Sequence, residues 1–418
     1  MGSYCELKFD AIDVIGNKSF VPDELICLFQ ESDRREVKSD DPDDTTHLFE
    51  YFARRDFVSH RLDLLGYTSK KARDHFEEWR QAEQENIAEF EREDPGEWTA
   101  EILALQQLDY REWLTRAREV LLTRYDFTRD TDSHKDEIDR RMRDSSEGWL
   151  FYSDDALPII RSLLDAFPEV QEVILDIAAL IGGGYISPKD KICAARRASS
   201  QHNQSVLQPT VIIAEGSTDI TVLRRSLERL YPYLTDYFTF FDYEGSNADG
   251  SASYLVKFLR AFAAARINAD IVAIFDNDSA GFEAFGQAAK SPLPPNIKTT
   301  RLPNIALAGC YPTIGPQGAH TLDINGTAVS IELFMGRHNI SSDDGTLVPV
   351  VWSNYVQGVG QYQGAISEKH VLLKRFLRDT ERDESPEDYQ RRFPELVTLW
   401  RHIFRLLGCP DNEDKVPD

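Results

Sequence analysis

The chain has only five cysteines, at positions 5, 27, 193, 310 and 409, and no two of them have CxxC spacing. That excludes a zinc ribbon and a disulfide framework, and makes a reducing cytoplasm the expected location. No apolar run reaches the roughly 18–20 residues of a membrane span, so no membrane is expected as a partner. The opening MGSYCELKFD lacks the basic and apolar regions of a secretory signal. Glu6 stands where a myristoylation pattern needs Ser or Thr. Gly182-Gly183-Gly184 is not followed by Lys-Ser/Thr, so it is read as a turn and not a P-loop. Bases are also in short supply: 47 stand against 71 acids over 418 residues, for a net charge of −24. The imbalance is steepest in the first 150 residues, with 37 acids and 22 bases. Such a surface does not hold nucleic acid by bulk electrostatics, which leaves a local basic groove or divalent cations held by carboxylates.

What is present suffices for real cores, since 41% of the residues are hydrophobic and 11% aromatic. A disordered chain is thereby excluded. Strand-like runs at Tyr4–Phe9 and Ala11–Ile15 are followed by a turn at Gly16-Asn17, and ESDRREVKSDDPDD reads as a solvated loop. From about 49 to 164 the pattern is helical, with Trp98, Ile102, Leu105 and Leu108 on one face and Asp94-Pro95-Gly96 as a helix start. A further helix is expected over 157–167, and the polar stretch 198–209 reads as a linker.

Beyond the linker the pattern changes. Val211–Ala214, Tyr237–Tyr243 and Ile271–Phe275 read as strands. Ser217–Leu230 and the run marked by Tyr254, Leu255, Phe258, Leu259 and Phe262 read as helices. Alternating strands and helices with continuous apolar strands predict a parallel α/β sheet. Two acidic clusters stand where the chain leaves its strands: Glu215-Gly216 with Asp219, and Asp276-Asn277-Asp278 before Gly281. Ligands of open α/β sheets gather at the carboxyl ends of strands. If the first and third strands are neighbours, four carboxylates converge, repel one another and invite hard divalent cations, Mg²⁺ or Mn²⁺ before Zn²⁺. Gly216 is read as allowing a sharp turn. The bland reading of Asp-x-Asp at a strand end is a helix cap.

The segments EGSTD (215–219) and DNDSAG (276–281) resemble the two signatures of Toprim domains, with the spacing of the overcoming-lysogenization-defect nucleases. MGSYCELKFD and VPDELICLFQESDRR resemble the HEPN/Toprim-associated N-terminal domain. DINGTAVSIELFMG (323–336) and VWSNYVQGVGQYQGAISEK (351–369) resemble the segments that accompany Toprim in that family. The resemblance implies three parts: a helix-rich α+β N-terminal domain over 1–200, a Toprim-like parallel sheet flanked by helices over 201–340, and a C-terminal extension over 341–418 packing on it. It implies a divalent-metal-dependent endonuclease that hydrolyses DNA, with RNA as the alternative, in bacterial defence against phage or plasmids. Glu215 would be a metal ligand or general base, and Asp219, Asp276 and Asp278 would hold two metals. Glu332 is either a further ligand or a helix-first-turn acid. Lys369 is either a cation at the scissile phosphate or a solvated lysine. A partner ATPase or sensor protein and a homo-oligomer are compatible with this reading, since the chain has no Walker motif of its own.

Other patterns are read blandly. Arg55 and His60 have the Arg-x4-His spacing of HEPN ribonucleases, in a region rich in arginine, and are taken as a surface feature. Trp79, Trp98 and Trp113 are assigned to a core or a partner interface before a base-stacking platform, and 379–388 to a solvated charge run. The rival class is an assembly protein whose Toprim unit binds nucleic acid without cutting it.

Overall fold

The computed structural model describes residues 2–38, 47–123, 134–144, 148–200, 208–246 and 250–410. The chain divides into two compact units, the first over residues 1–207 with 408–410 and the second over residues 208–407.

The first unit is built on five strands: β1 (Tyr4–Phe9), β2 (Ile12–Lys18), β3 (Arg34–Val37), β4 (Leu48–Arg54) and β5 (Glu172–Asp176). They lie in the order β2-β1-β5-β4-β3, and every neighbouring pair is antiparallel. Alternation along the strands buries Cys5, Leu7, Phe9, Tyr51, Ala53, Val173 and Leu175. The helix Ala156–Ala166, predicted almost to the residue, supplies the buried Leu157, Ile160, Leu163 and Leu164 to the same core. A second aromatic layer forms around Phe76, whose ring lies 5.5 Å from Trp79, Tyr110 and Tyr152 and 5.9 Å from Trp113. Trp79 and Trp113 are thus core residues, and Trp98 packs on Phe90.

Several local expectations need correction. Gly16 and Asn17 lie inside β2, paired with Glu6 and Cys5, because the bulged β1–β2 ladder continues past them. Arg34–Val37 is an edge strand instead of loop, with the Arg34 guanidinium 3.7 Å from the centre of the Phe49 ring and Arg35 ion-paired to Glu50. Phe49 opens no helix but sits in β4. Asp94-Pro95-Gly96 closes the long helix Ser69–Glu93, and the next helix begins at Thr99. All five cysteines are free thiols.

The second unit holds a four-stranded sheet of β6 (Thr210–Ile213), β7 (Phe238–Phe240), β8 (Ile271–Phe275) and, after the two-residue β9 (Asn277–Asp278), β10 (Ile297–Arg301). The order is β10-β8-β6-β7 and every pair is parallel, as the apolar strands foretold. The helices Ser217–Leu230, Ala252–Ala264 and Ser279–Ala289 follow β6, β7 and β9. Ile213, Leu255, Leu259, Ala273 and Phe275 are all buried in one core. The chain then forms β11 (Tyr311–Gly315), β12 (Gly318–Leu322), β13 (Ala328–Val329), β14 (Val350–Val356) and β15 (Gln361–Ile366). Strands β12-β11-β14-β15 make a separate sheet, while β13 pairs with β9. Residues 341–407 belong to this same unit. The run 379–388 is not simply solvated, because Asp379 is buried and ion-paired to His338, Arg382 and Arg392. Among the described residues no helix is long and apolar enough to cross a membrane.

Candidate active site

β6 and β8 are hydrogen-bonded neighbours, so Glu215 and Asp276, the residues that follow at their carboxyl ends, stand side by side. The Asp276 amide donates to Glu215 Oε1 at 2.9 Å. One turn into the next helix, Asp219 Oδ2 accepts the Gly216 amide at 2.9 Å, which brings its carboxylate back over the strand end. Asp278 caps the helix Ser279–Ala289 by accepting the Gly281 amide at 2.7 Å, and its other oxygen takes Gln363 Nε2 at 2.8 Å. The bland reading of the Asp-x-Asp motif therefore holds for Asp278, alongside its position in the acid cluster.

Glu332 and Lys369 come from distant sequence to the same place. Glu332 lies in a short helical turn, Ile331–Phe334, and is 2% exposed. It accepts the Ser330 hydroxyl at 2.6 Å and pairs with Lys369 Nζ at 3.1 Å. Lys369 opens the helix Lys369–Asp379 with its side chain half exposed. Neither bland alternative is complete, since the acid is buried and the lysine is paired to it.

The electrostatics bind the six side chains into one group. Burial, then Asp278 and Asp219, pushes the Glu215 carboxyl up to about 8, against the Asp276 amide and Lys369. Burial and Glu332 push Asp219 up to about 7. Asp276 is held well above the usual carboxylate range by burial and by the charges of Asp219, Glu215, Asp278 and Glu332. Burial raises Asp278 as well. Burial pulls the Lys369 ammonium down, but Glu332 and Asp276 outweigh it and leave it above its ordinary value. One lysine leaves several acids uncompensated.

That donor set fits a hard divalent cation, because every candidate ligand is a carboxylate oxygen and their mutual repulsion is what a cation relieves. The acids form an open cluster instead of a closed cage: among the described residues, no three His, Cys, Asp or Glu side chains are drawn to ligand spacing. The oxygens of Glu215, Asp219, Asp278 and Glu332 are turned onto backbone amides, Gln363, Ser330 and Lys369.

Two glycines permit this crowding. A Cβ on Gly281 would stand 2.2 Å from the Asp276 carbonyl oxygen, and one on Gly250 would stand 2.7 Å from that of Glu215. Gly216, by contrast, is not needed for a turn. Its φ of −158° is extended backbone, and a Cβ there would meet nothing closer than 3.9 Å.

Sequence reasoning missed Gln363 and Ser330, and gave Asn277, the middle residue of the Asp-x-Asp motif, no role of its own. Gln363 reaches the site through tertiary pairing and Ser330 through a bond to Glu332 two residues on. Arg55 donates from Nη2 to the Leu164 carbonyl at 2.7 Å, which gives it a structural anchor in the first unit. No curated protein and no solved structure matches the chain. Residues 1–200 do match a family, the HEPN/Toprim N-terminal domain 1. The unit built on the five-stranded antiparallel sheet is thus the part of the chain that matches the HEPN/Toprim N-terminal domain.

Proposed function

We propose that the second unit is a Toprim-type nuclease centre that hydrolyses nucleic-acid phosphodiesters with Mg²⁺ or Mn²⁺, DNA before RNA. The observation that carries this reading is the convergence of Glu215, Asp219, Asp276, Asp278, Glu332 and Lys369 at the carboxyl ends of β6 and β8. Glu215, Asp219, Asp276 and Asp278 would hold the ions, with Glu332 beside them. Bound divalent cations supply activation of a water and stabilisation of the leaving oxygen.

The chain's own residues prepare the site. The Asp276 amide orients Glu215, and Gln363 and the Gly281 amide fix Asp278. Lys369, steadied by Glu332 and open to solvent, supplies positive charge to a phosphate. A nuclease role agrees with the HEPN/Toprim N-terminal domain over residues 1–200. Action in bacterial defence against phage or plasmid DNA rests on the family resemblance, as does control by a partner ATPase or sensor.

Titrating Mn²⁺ into the EDTA-stripped full chain tests the reading. Binding is expected, and Asp276→Asn should weaken it at least on the order of tenfold. A wild-type protein that binds no Mn²⁺ contradicts the metal centre.

A further inference from the structure

We propose that Arg301 is a phosphate-positioning residue, whose guanidinium takes a backbone phosphate of the nucleic-acid strand next to the bond being cut. The inference rests on the nuclease reading and deepens it, by naming how a chain of net charge −24 grips a polyanion at this site.

Arg301 is the last residue of β10 and pairs with Phe275, the residue before Asp276. Its Nη1 donates to Asn277 Oδ1 at 3.1 Å, and Asn277 Nδ2 donates in turn to Asn304 Oδ1 at 2.8 Å. The guanidinium carbon lies 4.7 Å from the centre of the half-exposed Phe282 ring. The side chain is thus fixed along one edge by an amide and across one face by an aromatic ring, at the end of the strand that neighbours the one leading into Asp276.

No carboxylate among the described residues lies within ion-pair distance of it. The arginines buried outright among the described residues are treated differently: Arg61 has Asp33 at 2.7 Å, Arg141 has Glu101 at 2.9 Å and Arg161 has Asp63 at 3.2 Å. Burial pushes the Arg301 guanidinium down with no acid to offset it. In a chain with 71 acids, a cation immobilised without an acid keeps its charge for an incoming anion. A planar guanidinium stacked on a ring presents its remaining N–H edge to phosphate oxygens, the geometry in which arginine binds phosphate best. The charge of Lys369, by contrast, is already offset by Glu332 at 3.1 Å.

The plainer reading is that Arg301 only anchors Asn277 and covers Phe282. The two differ in salt dependence, because a phosphate contact releases counterions and a packing contact does not. Binding of a fluorescent single-stranded DNA, its duplex and tRNA would be measured with the full chain in Ca²⁺, between about 50 and 200 mM KCl. Arg301→Gln should weaken binding about fivefold or more and lower the log–log salt slope by about one, and Arg301→Lys should restore the slope.

Neutral methylphosphonates placed one at a time around the cut site give a readout that needs no variant. One flanking position should weaken wild-type binding, and Arg301→Gln should be indifferent to it. An unchanged slope in Arg301→Gln, or a wild type indifferent to every flanking methylphosphonate, overturns the inference. If Mg²⁺-dependent cleavage persists while these readouts stay flat, only the Arg301 inference falls. If the wild type neither binds nor cuts any of the three polymers, the nuclease reading falls with it.

Discussion

Asp276, at the end of a buried strand, is held well above the usual carboxylate range by burial and then by four other carboxylates. Such a group destabilises the metal-free fold whenever it is ionised. Between the ordinary carboxyl values near 4 and the raised values near 7 and 8, the folded protein binds more protons than the unfolded chain. Stability therefore falls as pH rises through that window. In EDTA the second unit should melt at a lower temperature at pH 8 than at pH 5, and Asp276→Asn should narrow the gap. A thermal melt followed at both pH values checks this, and a gap of the same size in the variant contradicts it. The acids at 215, 219, 276 and 278 were legible in the sequence because each follows directly on an apolar strand or opens the next helix. Gln363, Ser330 and Arg301 were not, because their roles depend on strand pairings and side-chain contacts that no local pattern encodes.

The elements of the second unit are the ones their sequence describes most openly. Ile271–Phe275 is apolar at every position and buried at every position, so its placement inside a parallel sheet follows from composition alone. The first unit hides its strands better. β3 is a run of Arg, Arg, Glu and Val whose apolar contacts come from the faces of Phe49 and Phe52 beneath the guanidinium groups. The short helix Ser279–Ala289 packs so closely on the end of β8 that its third residue has room only for hydrogen. Gly281→Ala should accordingly cost about 1–3 kcal/mol in the second unit and disturb Asp276. Gly216→Ala, on extended backbone with open space around it, should melt within about 0.5 kcal/mol of wild type. Denaturant unfolding of the pair tests the contrast, and equal losses at the two positions contradict it.

At the scale of the whole molecule, a strongly acidic chain carries one site where carboxylates are gathered, desolvated and only partly neutralised. Charge of that sign works against nucleic-acid binding everywhere except where cations intervene. Under the proposed nuclease reading, metal dependence therefore comes before the choice between DNA and RNA. The rival reading, an assembly protein with a binding-only Toprim unit, shares the fold and the acids but predicts no turnover. The most direct measurement is incubation of the pure full chain with duplex DNA, single-stranded DNA and tRNA in Mg²⁺, Mn²⁺ or EDTA, beside Asp276→Ala. Cleavage of at least one polymer in Mg²⁺ or Mn²⁺, absent in EDTA and in the variant, is the predicted result. Cleavage that survives EDTA or Asp276→Ala, or no cleavage of any polymer by the wild type, would contradict it.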